Sequence, residues 1–149
     1  MRVLRFSVLA FAAAVILSAV ALAKAEQTKA ANYKGLEITP LSVERARNVA
    51  LGDCPPGANT VRGNALEGTE FAVVTLAFKV TPAFDAKTIV KKPVLTDASG
   101  KMFQTSASII DAGSVPEYKC SFPFRVPAGT KVASVAIDTA TIDVASLDK

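Results

Sequence analysis

From residue 117 to residue 129 the chain reads EYKCSFPFRVPAG, with Tyr118, Cys120, Phe122, Phe124 and Val126 on every second position and Lys119, Ser121 and Arg125 between them. That is the period of a β-strand with one buried face, and its even side belongs to a core. The run EFAVVTLAFKV at 70–80 is the second strong strand. It carries apolar residues on both phases, Val74, Leu76, Phe78 and Val80 on one and Phe71, Val73 and Ala77 on the other. A strand of that kind lies centrally in a sheet, covered on one side and partly on the other.

The remaining elements are shorter. GLEITPLSVERA at 35–46 alternates Leu36 and Ile38 with Glu37 and Thr39, meets Pro40, and resumes with Leu41 and Val43. A proline cannot donate to a ladder, so the run predicts one bent edge strand with a bulge. Residues 48–70 are crowded with Gly, Pro, Asn and Asp and read as a long loop. Residues 87–92 predict a short basic strand and 93–96 another. Asp97-Ala98-Ser99-Gly100 is a tight-turn sequence leading into 101–103, so a hairpin is expected there. A further short strand is expected at 106–110, a turn at 111–116, a strand at 131–139 and a short edge at 141–144. No stretch after the leader sustains a 3.6-residue period. The expected architecture is all-β: about seven strands in a two-sheet antiparallel sandwich.

The N-terminus changes how the charge is read. Arg2 and Arg5 precede the apolar run 8–17, and small residues follow, which is the pattern of a secretory signal peptide over 1–25. Two A-x-A sites are present, Ala21-Leu22-Ala23 and Ala23-Lys24-Ala25, and the second removes the last charge of the leader. The alternative is an uncleaved anchor, since 6–23 is nearly long enough to span a bilayer. Of the 17 basic residues, Arg2, Arg5 and Lys24 lie in the leader, leaving 14 against 13 acidic ones. The processed chain is thus about neutral, and the pI near 9.2 is largely a property of the leader. A neutral domain lacks the clustered positive field that nucleic acid or an anionic membrane requires. The expected organisation is a signal peptide at 1–25, a flexible arm at 26–32 and one domain at 33–149, periplasmic or secreted, with no stable membrane insertion after cleavage.

Cys54 and Cys120 are the only two cysteines. In an oxidising compartment they are expected to pair, holding the first half of the long loop against the sandwich; the alternative is two separate buried thiols. The chain has no histidine, so no Ser-His-Asp or Cys-His nucleophile and no His-ligated metal site can be assembled. There is no phosphate-binding or dinucleotide fingerprint, and no cofactor is implied. Asp138, Asp143 and Asp148 match no calcium-loop spacing and read as a solvated terminus. Lys87, Lys91 and Lys92 could meet an anionic polymer, but read better as charges guarding an exposed edge. These absences argue against an enzyme.

The bent first strand, the glycine-rich loop, EFAVVTLAFKV, the turn TDASGKMF and the aromatic strand ending FRVPAG together resemble the secreted bacterial immunoglobulin-like proteins grouped as telokin-like domains of unknown function. That group includes a mycobacterial secreted immunogenic antigen. The resemblance runs from about Tyr33 to Asp138 and implies an immunoglobulin-like sandwich and an export route, with no catalytic motif to transfer. The chain departs from antibody domains in having no tryptophan, and in placing Cys54 in a loop.

The functional expectation is an exported, non-enzymatic binding module for a partner protein or cell-envelope polymer. Its recognition surface is expected in the long loop, with Asp53, Asn59, Arg62 and Asn64 as candidate contacts. The alternative is a carrier of a small hydrophobic ligand or lipid, with Phe71, Phe78, Phe103, Phe122 and Phe124 lining a space between the sheets.

Overall fold

The computed structural model describes residues 29–57 and 60–149. The expected signal peptide, the first part of the expected arm and the candidate contact Asn59 lie outside the described residues. Ten strands follow in order: β1 (Ala31–Tyr33), β2 (Leu36–Ala46), β3 (Asn48–Leu51), β4 (Val61–Asn64), β5 (Thr69–Val80), β6 (Val94–Asp97), β7 (Met102–Gln104), β8 (Glu117–Pro127), β9 (Val132–Ile137) and β10 (Ala140–Asp143). A 3-10 turn at Ala145–Leu147 comes last. The named strands pair antiparallel into two four-stranded sheets, ordered β1-β2-β5-β8 and β10-β9-β6-β7, and a separate two-stranded ribbon, β3-β4. The chain is a β-sandwich.

The two strong sequence patterns set its centre. β5 lies between β2 and β8, with Val74 opposite Phe122, Leu76 opposite Cys120 and Phe78 opposite Tyr118. The even phase of both strands points into the core. There Phe78 meets the Phe122 ring edge-on, with centroids 6.1 Å apart, and stacks on Tyr118 at 5.1 Å. Leu95, Val135, Ile137 and Ile142 close over them from the second sheet. The odd phase of β5 carries Phe71, buried but outside this core, with the Arg125 guanidinium 5.3 Å from its ring centroid. An aromatic ring under a guanidinium is shielded on a face that is otherwise solvent-exposed.

β2 is bent as expected, with a bulge between Pro40 and Ser42. It is not the outermost strand, because β1 pairs with Leu36, Glu37 and Ile38. Ala31 and Asn32, expected in the arm, therefore belong to a strand. The β1–β2 connection is the two-residue turn Lys34-Gly35, with φ of 51° and 89°, the left-handed pair a tight hairpin needs. Gly35 has a second reason to be glycine: a Cβ there would sit 2.5 Å from the Phe84 backbone nitrogen.

The basic strand expected at 87–92 does not form. The carboxylate of Asp85 accepts the Lys87 N–H at 2.9 Å and its carbonyl accepts the Thr88 N–H at 2.8 Å, turning the chain instead. Those lysines therefore guard no strand edge. Residues 106–110 likewise make only an isolated parallel bridge, between Ile109 and Cys54. The β6–β7 hairpin and β9 stand where the alternation placed them. The Asp97 carboxylate closes the hairpin turn by accepting the N–H groups of Ser99 and Lys101, at 2.8 and 2.9 Å.

Contacts between the sheets close both flanks. On one flank Thr105 bridges to Phe124. On the other, the Tyr33 hydroxyl donates to Asp138 at 2.9 Å, and Arg45 reaches Asp148 and the Thr130 carbonyl, the latter at 2.7 Å. No helix among the described residues is long and apolar enough to cross a membrane.

Candidate functional site

The stretch read as a loop is largely a hairpin. β3 and β4 pair Asn48 with Asn64 through Leu51 with Val61, and the Ala65 N–H to Arg47 carbonyl bond of 2.7 Å closes the base. The ribbon continues the β2–β5 pair beyond the sheet and turns onto β8, which β3 touches. Arg125 donates to the Asn64 carbonyl at 3.1 Å. Gly63 is buried against the Leu51 and Val49 side chains, where a Cβ would lie 3.0 Å from Leu51 Cδ1.

The tip of the ribbon is held by covalent and backbone bonds. Cys54 is disulfide-bonded to Cys120, with Cα atoms 5.7 Å apart, and both residues are buried. The Cys54 N–H donates to the Ser108 carbonyl at 2.8 Å, and its own carbonyl accepts from Ile110 at 2.7 Å. The Asp53 carboxylate accepts the Ser108 N–H through Oδ1 at 3.2 Å. An irregular, glycine- and proline-rich stretch would be mobile by default; these bonds hold Asp53 and Cys54 against the segment 106–110.

Two grooves open on either side of Asp53. One, of about 630 Å³, lies between the ribbon (Leu51, Gly52, Thr60, Val61) and Ser106 and Ala107. The other, of about 350 Å³, lies between Pro55, Pro56 and Gly57 on one wall and Ile110, Asp111, Ser114 and Val115 on the other. Exposed apolar side chains stand at both: Val61 is 69% exposed, Ile110 50% and Val115 40%. Asp111 holds a left-handed backbone, φ 49°, at the start of a turn closed by the Ser114 N–H to Asp111 carbonyl bond of 2.8 Å.

The sequence candidates separate in space. Asp53 lines both grooves. Arg62 lines a smaller depression, with Asn48, Val49 and Ala50. Asn64 lines neither groove, and its carbonyl is bonded to Arg125. The sequence reading missed the second wall, residues 106–115, which the parallel Cys54–Ile109 bridge and the Asp53–Ser108 bond bring against Asp53. The apolar Ile110 and Val115 flanking turn residues were the one local signal.

A further depression of about 470 Å³ lies on the outer face of β2, β5 and β8, lined among others by Glu37, Lys79, Glu117 and Lys119. Small Ala77 stands at its centre. Charges of both signs alternate across it, so it carries no net field.

The five phenylalanines proposed to line a ligand space do not surround one. Phe78, Phe122 and Phe124 are fully buried in the core, Phe103 is half-buried, and Phe71 lies on the opposite face of its sheet. The three C-terminal aspartates are likewise apart: Asp143 is exposed, as a solvated terminus requires, whereas the Asp148 side chain is buried and Asp138 is ion-paired. Asp138 bonds Tyr33 and Lys91, the Asp143 carboxylate accepts the Ala145 N–H, and Asp148 bonds Arg45 and the Val132 N–H. Among the described residues no group of three His, Cys, Asp or Glu side chains is placed to hold a metal ion.

Four ionisable groups are shifted here by contacts or burial. The Lys91 ammonium and the Tyr33 hydroxyl hold the Asp138 carboxyl below its ordinary value, and Asp138 in turn raises Lys91. Burial works to raise Asp148, but the Arg45 guanidinium, the Val132 N–H and Lys131 outweigh it, so its pKa is lowered. Burial pushes the Tyr118 phenol up to about 12.

No protein-family profile matches the chain, and no curated protein sequence matches it. In three dimensions it resembles an uncharacterized β-sandwich protein from Clostridium difficile 630, with a TM-score of 0.43 and 10% identity over 74% of this chain and 83% of that one. A likeness at that level carries no functional argument.

Proposed function

We propose that the protein is an exported, non-enzymatic interaction module that presents the ribbon tip to a partner protein or cell-envelope polymer. The observation that carries this reading is a groove-flanked surface around Asp53, whose neighbour Cys54 is tethered by the Cys54–Cys120 bond and its backbone pair. A surface ordered before binding loses little conformational entropy when it binds. The leader pattern and a disulfide, which persists in oxidising compartments, support export to the periplasm or beyond.

The strand order supports an immunoglobulin-like sandwich. Without β1 and the ribbon, seven strands remain, and in chain order they lie first-second-fifth in one sheet and seventh-sixth-third-fourth in the other. That is the A-B-E and G-F-C-C′ arrangement of immunoglobulin-like domains.

The test is capture of partners from envelope extract by the intact domain and by a variant with residues 55–60 replaced by a short Gly-Ser linker, both cysteines retained. Capture lost in a variant that keeps its β-type dichroism and its disulfide supports the reading. Capture unchanged by the replacement refutes it.

A further inference from the structure

We infer that the paired grooves at Asp53 take an extended polypeptide segment of a partner in which a lysine or arginine is flanked by apolar side chains. This rests on the interaction-module reading and specifies its partner. The grooves share Asp53 as a common wall, and the inferred segment crosses it to occupy both, between the described residues 51–57 and 60–61 on one side and 106–115 on the other. Apolar side chains stand in both grooves, Leu51 and Val61 in one and Pro55, Pro56, Ile110 and Val115 in the other, beside the polar Thr60, Ser106 and Ser114.

Two carboxylates stand among these side chains, Asp53 in both grooves and Asp111 in the second. No ion pair among the described residues engages either. Asp53 uses one carboxylate oxygen for the Ser108 N–H, which fixes its direction and leaves the other oxygen for a ligand. A carboxylate beside apolar side chains is complementary to a cation flanked by apolar residues, because a lysine or arginine lays its aliphatic stem on the apolar groups and its charge on the carboxylate. Among the described residues neither groove has an aromatic ring in its lining. A polypeptide therefore fits this chemistry better than a sugar polymer, whose rings pack on aromatic faces.

Two substitutions remove the charges with little disturbance to the fold. Asp53→Asn retains an oxygen that accepts from Ser108. Asp111→Asn keeps the residue type that best tolerates a left-handed backbone after glycine. The probes are a matched pair of fluorescent synthetic peptides, Val- and Pro-rich, identical except for lysine in one and glutamate in the other. The lysine peptide is expected to bind and the glutamate peptide not to. Binding should weaken about 10-fold in the double Asn variant and fall with added salt.

Equal binding of the two peptides, binding of neither, or undiminished binding by a double variant of wild-type thermal stability overturns the inference. If neither peptide binds while replacement of residues 55–60 still abolishes capture, this inference falls and the interaction-module reading stands. If capture also survives that replacement, both fall.

Discussion

Arg45 lies on the inward phase of β2, opposite Ala72, at the end of the core rather than on a solvent face. Replacing it with methionine keeps most of the apolar stem and removes the guanidinium. Asp148, whose side chain is only 3% exposed, then loses the Nη2 bond of 2.5 Å and the Nε bond of 3.2 Å, and retains only the Val132 N–H at 2.9 Å. Removing one partner of a fully buried ion pair costs about 3–5 kcal/mol, because a desolvated charge is left behind. Here Arg45 and Glu70 are 25% and 22% exposed, and Glu70 keeps the Gly129 N–H, so water replaces part of what is lost.

We therefore expect Arg45→Met to cost about 2 kcal/mol at neutral pH, equivalent to roughly 10 °C in Tm for a domain of this size. The pH dependence has a definite sign. Asp148 has a lowered pKa in the folded state, so its contribution is complete above the ordinary carboxylate pKa and is lost as pH falls through the lowered value. The gap between wild type and variant should narrow on acidification below about pH 4. Denaturant titrations at pH 7 and pH 3 measure it, and a double-mutant cycle with Asp148→Asn isolates the pair. A variant within about 0.5 kcal/mol of wild type at pH 7, or a gap unchanged at pH 3, would show that the stem and not the charge stabilises this end of the sandwich.

Replacing both Cys54 and Cys120 with alanine opens a loop closed over a sequence separation of 66 and should lower unfolding free energy by about 4 kcal/mol in urea titrations; a loss under 1 kcal/mol would show that the tip docks without the bond. Gly35→Ala places a Cβ 2.5 Å from the Phe84 nitrogen at a φ of 89° and should cost more than about 2 kcal/mol, whereas Gly68→Ala, at φ 70° with open space, should cost about 1. Equal costs would mean that residues 83–84 move aside freely. The Tyr118 phenol should ionise near pH 12 in ultraviolet titration. Because its folded pKa is raised, the stability it contributes is present below about pH 10 and is lost as pH rises towards 12, and a Tyr118→Phe variant should lack this late ionisation.

Much of the sandwich was legible because period-2 alternation is a direct record of one-sided burial. The even residues of β8 and the doubly apolar β5 pair with each other at the centre, and Asp97-Ala98-Ser99-Gly100 turns the hairpin expected of it. The ribbon was not legible, because its residues lack an apolar rhythm: Asn48, Arg62, Gly63 and Asn64 pair through backbone groups that every residue carries. β1 was hidden for the same reason. Lys87–Lys92 gave the opposite error, where Ile89 and Val90 imitate a strand that Asp85 turns aside. At the candidate site Asp53 could be named from its loop, but its companions Ile110 and Asp111 could not, since the contact spans more than fifty residues. Arg45 drew no notice, because the burial of its partner Asp148 is decided by the fold.

The Cys54–Cys120 bond makes a covalent ring of everything between its ends, including all of β5 and the strandless stretch from 82 to 93 with its three lysines. A protease that cuts after Lys87 or Lys91 divides the chain without dividing the molecule. The two fragments stay tied through sulfur until a reductant reaches a bond that is itself sealed in the interior, so in an oxidising setting a nicked protein keeps the mass of an intact one, plus a water.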